Sequence, residues 1–347
     1  MVNKYKRILL IELAGIGDAV LSIPAIRNLR RNYPHSTLYY LTFSGPAQVI
    51  NRCPYLDGIY VLSKKKRHIF TNLSIAKKLR DWYPQVAVNL YQHYALKGTL
   101  NCFFLLKYIN PSITVGRNTD GRGFFYDIKI EDTLDTQRHD VEYKLDLLRA
   151  LGCKIEDKHL ELWPGQDDID RVSEFLNNHS ISESDFLIGI NPGAHRLTRR
   201  WSWKNFAQVA DILIDRFKAK IIITGSKEES LLGKLIVKKV KRSVINTVGV
   251  FTLTQLLALI KRCNLFITND TGPMHIANAL RIPMVAIMGP GGLKTAPYQR
   301  ENCIIVRKEV SCSPCYKFKC KDLRCLKGVT VEEVIEAVEK VIRGAKD

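Results

Sequence analysis

From Asn264 to Pro290 the chain reads NLFITNDTGPMHIANALRIPMVAIMGP, with Asp270, Thr271, Gly272 and His275 inside six positions. Those types sit between an apolar run, Leu265 to Thr268, and a short helical stretch beginning near Thr271. Gly272 lets backbone approach a ligand, and the unsatisfied N–H groups at a helix start favour an anion such as a diphosphate. Pro273 is tolerated there because the first helical turn needs few donors. The same residues also fit a plainer reading, with Asp270 or Thr271 capping the helix and His275 packed. A second cluster, Asn191-Pro-Gly-Ala-His-Arg-Leu-Thr-Arg-Arg-Trp201, follows another predicted strand. Gly193 permits close approach, and Arg196, Arg199 and Arg200 carry forked donors that match phosphate oxygens. In Gly225-Ser-Lys-Glu-Glu229, Glu228 or Glu229 can accept a hydrogen bond from a sugar hydroxyl, or can merely favour a helix amino terminus. The third cluster is Gly15-Ile-Gly-Asp18 after the first predicted strand. It lacks the third glycine of a dinucleotide fingerprint, and a carboxylate would repel a diphosphate. Asp18 suits general-base work on an acceptor hydroxyl, with helix capping as the alternative.

These clusters are placed by an alternation of short apolar runs and helical segments. Strands are expected at Arg7 to Leu13, Thr37 to Thr42, Ile59 to Leu62, Val86 to Leu90 and Ile113 to Val115, with helices between them. The pattern restarts after a helix from Arg138 to Leu151 and a connecting strand and linker from Leu160 to Gly165. Strands at Phe186 to Asn191, Lys220 to Thr224, Val244 to Thr247, Leu265 to Thr268 and Met284 to Met288 alternate with helices in the second half. Such alternation predicts α/β domains with parallel sheets, whose ligands bind at the carboxyl ends of strands. Two Rossmann-like domains facing across a cleft, residues 1–160 and 161–329, follow from it. A terminal segment, 330–347, opens with a Thr330-Val-Glu-Glu333 capping box and is expected to pack back across the domains.

With 347 residues, 46% hydrophobic and 25% charged, the chain has the composition of a folded globular protein. Fifty-three Lys and Arg against 34 Asp and Glu give a net charge of +19, which implies anionic partners: nucleic acid, membrane or phosphorylated substrates. Nucleic acid is disfavoured because aromatic residues are not interleaved with the basic runs as a stacking platform needs. The run Ser63-Lys-Lys-Lys-Arg-His68 falls in a connection, as a solvated loop or an anion-binding patch. Met1 to Ala25 starts like a signal peptide, but Glu12 and Asp18 interrupt its apolar region. No apolar run approaches the ~20 residues that span a bilayer. Scattered cysteines suit a reducing, cytoplasmic compartment. Cys312, Cys315, Cys320 and Cys325 fall within fourteen residues, where they can form a structural metal cluster or serve as reduced thiols; their spacing is not that of a paired zinc module.

GxGD after the first strand, PGA followed by RRW, GSKEE after the next strand and NDTGPMHIANAL before an apolar strand together resemble glycosyltransferase family 9, the ADP-heptose:lipopolysaccharide heptosyltransferases. The resemblance runs nearly end to end and includes the terminal cysteine segment. It implies a GT-B fold, with the acceptor at the amino-terminal domain and the nucleotide-sugar in the carboxyl-terminal one. It further implies inverting transfer of heptose from ADP-heptose to the inner core of lipopolysaccharide. Asp18 matches the family's proposed base, next to Gly15 and Gly17 on the acceptor side. Arg199 falls where a basic residue, often lysine, meets the donor phosphates, and Asp270, Thr271, Gly272 and His275 match the donor signature. No cofactor or catalytic metal is required on this reading. The partners are a nucleotide-sugar and an anionic lipopolysaccharide precursor, and nucleic acid is not expected among them. The protein then works in the cytoplasm, peripherally on the inner membrane, where its positive charge has a use. A transferase of another nucleotide-sugar or acceptor, a nucleic-acid-binding protein and an idle nucleotide-sugar sensor are the competing readings.

Overall fold

Near-continuous apolar runs such as Arg7–Glu12 and Leu187–Asn191 lack the alternation of a half-exposed strand, so they must be buried on both faces of a sheet. In the computed structural model, which describes residues 4–134, 138–315 and 317–344, both runs are central strands of all-parallel sheets. The chain divides into two units, Met1–Leu160 and Glu161–Asp347.

The first unit has β1 (Arg7–Glu12), β2 (Thr37–Phe43), β3 (Gly58–Leu62), β4 (Val86–Asn89), β5 (Ile113–Thr119) and β6 (Ile128–Asp132) in the order β3-β2-β1-β4-β5-β6. Strand order reverses beside β1, which opens a crevice between the carboxyl ends of β1 and β4. The helices Ile69–Trp82 and Leu96–Ile109 bury Leu79, Cys102, Leu106 and Ile109 against Leu9 and Ile11 of β1. The sixth strand, absent from the sequence expectation, is an edge strand of alternating burial in a short stretch, Ile-Lys-Ile-Glu-Asp, whose signal is weak.

The second unit repeats the plan with β7 (Leu187–Asn191), β8 (Lys220–Ile223), β9 (Ile245–Asn246), β10 (Leu265–Asn269), β11 (Met284–Ile287) and β12 (Cys303–Val306). Read from the other edge, its order β9-β8-β7-β10-β11-β12 is the same, so β7 and β10 flank the switch point. One expectation is corrected here: residues 160–165 form no strand, and Pro164 there lacks the backbone donor that a ladder needs. The terminal helix Val331–Gly344 belongs to the second unit: it lies against β11, β12 and the helix Trp203–Phe217, and Val334, Ile335, Val338 and Val341 enter that unit's core. Residues 345–347 lie outside the described set. Thr330 and Glu333 do form the reciprocal cap, Glu333 N–H to Thr330 Oγ1 at 3.2 Å and Thr330 N–H to the Glu333 carboxylate at 3.0 Å.

Candidate active site

In the second unit the loop leaving β7 must turn sharply to reach the helix Trp203–Phe217, and it does so through a 3₁₀ turn, Leu197–Arg199. That turn aims Arg199 at the end of β10, where its NH1 donates to Asp270 Oδ1 at 3.1 Å. The pair therefore straddles the β7/β10 switch point. Asp270 is 2% exposed, and its Oδ2 accepts no hydrogen bond from the described residues. Burial holds its carboxyl above the usual range, opposed by Arg199 and then Arg196. Gly291 leaves room beside it, because a Cβ there would lie 2.4 Å from Oδ2. Asn269 fixes the two loops to each other: its Nδ2 donates to Pro192 O at 2.8 Å and its Oδ1 accepts the Trp201 N–H at 3.1 Å.

Thr271 occupies the N-cap of the helix Gly272–Ala279 in an extended conformation, and no side chain caps that helix. Gly272 and Pro273 open its first turn, so its leading N–H groups emerge beside the Asp270–Arg199 pair. His275 is buried within the same helix at 5% exposure. Arg200 reaches the opposite way, with Nε donating to Ala194 O at 2.8 Å and NH2 to Glu229 Oε1 at 3.2 Å. Gly193 is needed for that arrangement, since a Cβ would fall 2.0 Å from Glu229 Oε1. Arg196 lies over the Phe318 ring, 4.2 Å from its centroid. Glu228 is exposed, and Glu229 is the acid brought to Arg200 and Gly193. In the 3₁₀ turn Lys227–Glu229 one residue of rotation, about 120°, separates the two, and sequence had left both open.

In the first unit Gly15 is the N-cap of the short helix Ile16–Leu21, with Gly17 in its first turn. Asp18 is half-buried, and its Oδ2 accepts the Gly15 N–H at 2.9 Å. The capping role is thus real, but the surroundings add another. Burial raises the Asp18 pKa, Lys144 lowers it, Asp140 raises it, and the Gly15 N–H lowers it. Lys144, on the buried face of the helix Asp140–Ala150, donates to Glu12 and, at 2.8 Å, to Leu90 O; it also pairs with Asp140 at 3.3 Å. Arg117, fully buried, bridges Asp140 and Asp132. Four carboxyls (Glu12, Asp18, Asp132, Asp140) therefore share two cations, and burial lifts Glu12 to about 7 against the pull of Lys144. Sequence reading missed this network. The available signal was a lysine on the stripe Val141, Leu145 and Leu148, where an amphipathic helix places apolar residues.

Cys312, Cys315, Cys320 and Cys325 line one small pocket of about 30 Å³ with Thr198 and Pro290, yet among the described residues no three His, Cys, Asp or Glu side chains are placed to hold a metal ion. Cys320 Sγ accepts the Leu323 N–H at 3.3 Å in an exposed turn, whereas Cys325 is buried in the second unit's core. No helix among the described residues is long and apolar enough to cross a membrane.

The sequence profile of glycosyltransferase family 9 (heptosyltransferase) matches residues 87–325. Lipooligosaccharide heptosyltransferase 2 of Campylobacter jejuni is 34% identical over 333 residues, which is 94% of this chain and 96% of that one. Among solved structures, the glycosyl transferase family 9 protein from Veillonella parvula superposes with a TM-score of 0.84 at 27% identity, covering 98% of both chains. E. coli ADP-heptose lipopolysaccharide heptosyltransferase II gives 0.77 at 21% identity over 98% of this chain and 100% of that one, a likeness of fold.

Proposed function

Starting from a chain that belongs to glycosyltransferase family 9, an enzyme family with the GT-B fold, we propose that this enzyme transfers heptose from ADP-heptose to the inner core of lipopolysaccharide, with inversion. The observation that carries the reading is the Arg199–Asp270 pair at the β7/β10 switch point, beside an uncapped helix amino terminus: cationic forks and open N–H groups where a Rossmann-like sheet receives a diphosphate. The relative from Campylobacter and the fold neighbour from E. coli support heptose as the sugar and ADP as the carrier.

In this mechanism Asp18 accepts the proton of an acceptor hydroxyl as its oxygen attacks the anomeric carbon. The new C–O bond forms while the bond from that carbon to the β-phosphate oxygen breaks on the opposite face, and ADP departs with the electron pair. Arg199 remains anchored by one amino group to Asp270 and directs its other donors to the leaving phosphate. The N–H groups that follow Thr271 support the same charge. Gly193, Arg196 and Arg200 shape the loop on which Arg199 rides, and Gly15 and Gly17 keep the Asp18 turn low beside the acceptor. Arginines and helix dipoles do the work of a catalytic metal, and no cofactor is required. The acceptor is lipid-linked and anionic, and the excess of basic residues draws the enzyme to the inner leaflet, where that acceptor resides.

Calorimetry with ADP, UDP and GDP on wild type, Arg199→Ala and Asp270→Ala tests the donor. Selective ADP binding, weakened about tenfold or more by Arg199→Ala, is expected from the loss of a charged hydrogen bond. Preference for UDP or GDP would replace the sugar carrier, and tight ADP binding unchanged by both substitutions would remove the site from this switch point.

A further inference from the structure

The first unit carries an apolar surface that its own core does not use. Leu96, Leu100 and Phe104 recur every four residues on the helix Leu96–Ile109, so they form one outward stripe, with exposures of 64%, 38% and 64%. The neighbouring helix Ile69–Trp82 adds Phe70, the most exposed of the chain's large apolar residues that are described, and Leu73. Phe124 extends the patch, joined to Phe104 through the Phe103 ring at centroid distances of 5.9 and 5.3 Å. The two helices are also tied by Arg80, whose guanidinium lies 5.4 Å from the Tyr108 ring centroid.

Charge identifies what this face fits. From Ser63 to Ile109 the sequence holds nine Lys and Arg (64–67, 77, 78, 80, 97 and 107) against one acid, Asp81. Lys64, Lys65, Arg67, Lys77, Lys78, Lys97 and Lys107 are all exposed. Apolar side chains set among exposed lysines match an anionic bilayer, with the rings entering the headgroup layer and the ammonium groups meeting lipid phosphates. A second copy of the same face fits poorly, because an isologous contact would bring the two basic rims together.

Position gives the surface its use. Both helices start just after β3 and β4, so Phe70, Leu73, Leu96 and Leu100 lie toward the sheet edge from which the Asp18 turn leaves β1. We propose that the outer face of the helices Ile69–Trp82 and Leu96–Ile109 is the membrane-docking surface, which seats the Asp18 edge at an anionic bilayer so that a lipid-linked acceptor is glycosylated without leaving the membrane. This deepens the proposed function and rests on it for the acceptor, but not for the lipid contact.

The test is co-sedimentation of the full chain with vesicles of phosphatidylcholine alone or of phosphatidylcholine and phosphatidylglycerol in equal parts. Wild type is expected to bind the anionic vesicles strongly and the neutral ones weakly. Phe70→Glu/Phe104→Glu should lower anionic-vesicle binding by about tenfold or more. Lys238→Gln/Lys239→Gln, with the same charge change on exposed residues of the second unit, should leave it near wild type. Both variants should keep wild-type ADP affinity, and wild-type turnover on an acceptor fragment stripped of its acyl chains, which establishes that they are folded. Equal loss in the two variants, or none in the phenylalanine variant, overturns the proposal. A wild-type dimer in sedimentation velocity that the phenylalanine variant makes monomeric also overturns it, in favour of self-association. Vesicle binding that behaves as expected without heptose transfer to the fragment would fail the enzymatic reading and leave the surface standing.

Discussion

Replacing Arg199 with alanine strands a buried carboxylate, and the consequence depends on pH in a direction that can be worked out. Asp270 is 2% exposed and one of its oxygens accepts no hydrogen bond from the described residues, so Arg199 is its principal stabiliser, with Arg196 second. Breaking a fully buried pair costs about 3–5 kcal/mol. The Arg199 side chain is 22% exposed, so solvent already screens part of the attraction, and about 1–3 kcal/mol is expected instead. The folded-state pKa of Asp270 lies above its unfolded value, so the group's contribution is full below an unfolded pKa of about 3.9 and is lost as pH rises through the folded value. Removing Arg199 raises the folded value further, and each added unit costs about 1.4 kcal/mol at pH above it. Urea unfolding of wild type, Arg199→Ala, Asp270→Asn and the double variant at about pH 5.5 and about pH 8 reads this directly. Arg199→Ala should lose more stability at the higher pH, and Asp270→Asn in the Arg199→Ala background should recover most of the loss. Equal destabilisation at both pH values, or no recovery in the double variant, would refute the claim that a stranded charge is responsible.

Three further outcomes are expected. Asp18→Asn should lower kcat for heptose transfer by about 10²–10⁴ while ADP affinity stays at the wild-type value, since the group lost is the base and the donor half-site is untouched. Asp140→Asn removes a negative charge that raises Asp18, so the acid limb of the kcat/KM profile should move to lower pH; a limb that stays in place would separate Asp18 from that limb. Gly193→Ala must push the flexible end of Glu229 away, which breaks its 3.2 Å contact with Arg200 and its 2.9 Å acceptance of the Ser226 N–H. Thermal unfolding should show about 1–2 kcal/mol of destabilisation, and an unchanged Tm would mean that Glu229 finds an equivalent position.

Much of this protein was written in local pattern. Apolar runs of four to six residues separated by helical segments dictate two α/β units with parallel sheets, because such runs can be buried only between layers of helices. The Asp270-Thr271-Gly272 turn, the arginine loop and the Asp18 turn are each legible because a strand end followed by glycine and a helix start is a local arrangement. Sequence did not reveal the edge strands β6 and β12, because each follows the preceding strand without an intervening α-helix and so falls outside the strand–helix alternation. Nor could it choose between Glu228 and Glu229, since both adjoin the same turn and only the rotation of that turn aims one of them at Gly193. Pairing across the fold lay further out of reach. Arg199 meets Asp270, 71 residues away, and Lys144 meets Glu12, 132 residues away, because β7 lies beside β10 and the helix Asp140–Ala150 packs near the end of β1. Residue types and turn chemistry fix what each loop can do; which charges share a buried site, and so which carboxyls are raised, is decided only when strands adjacent in the sheet bring distant loops within a few ångströms.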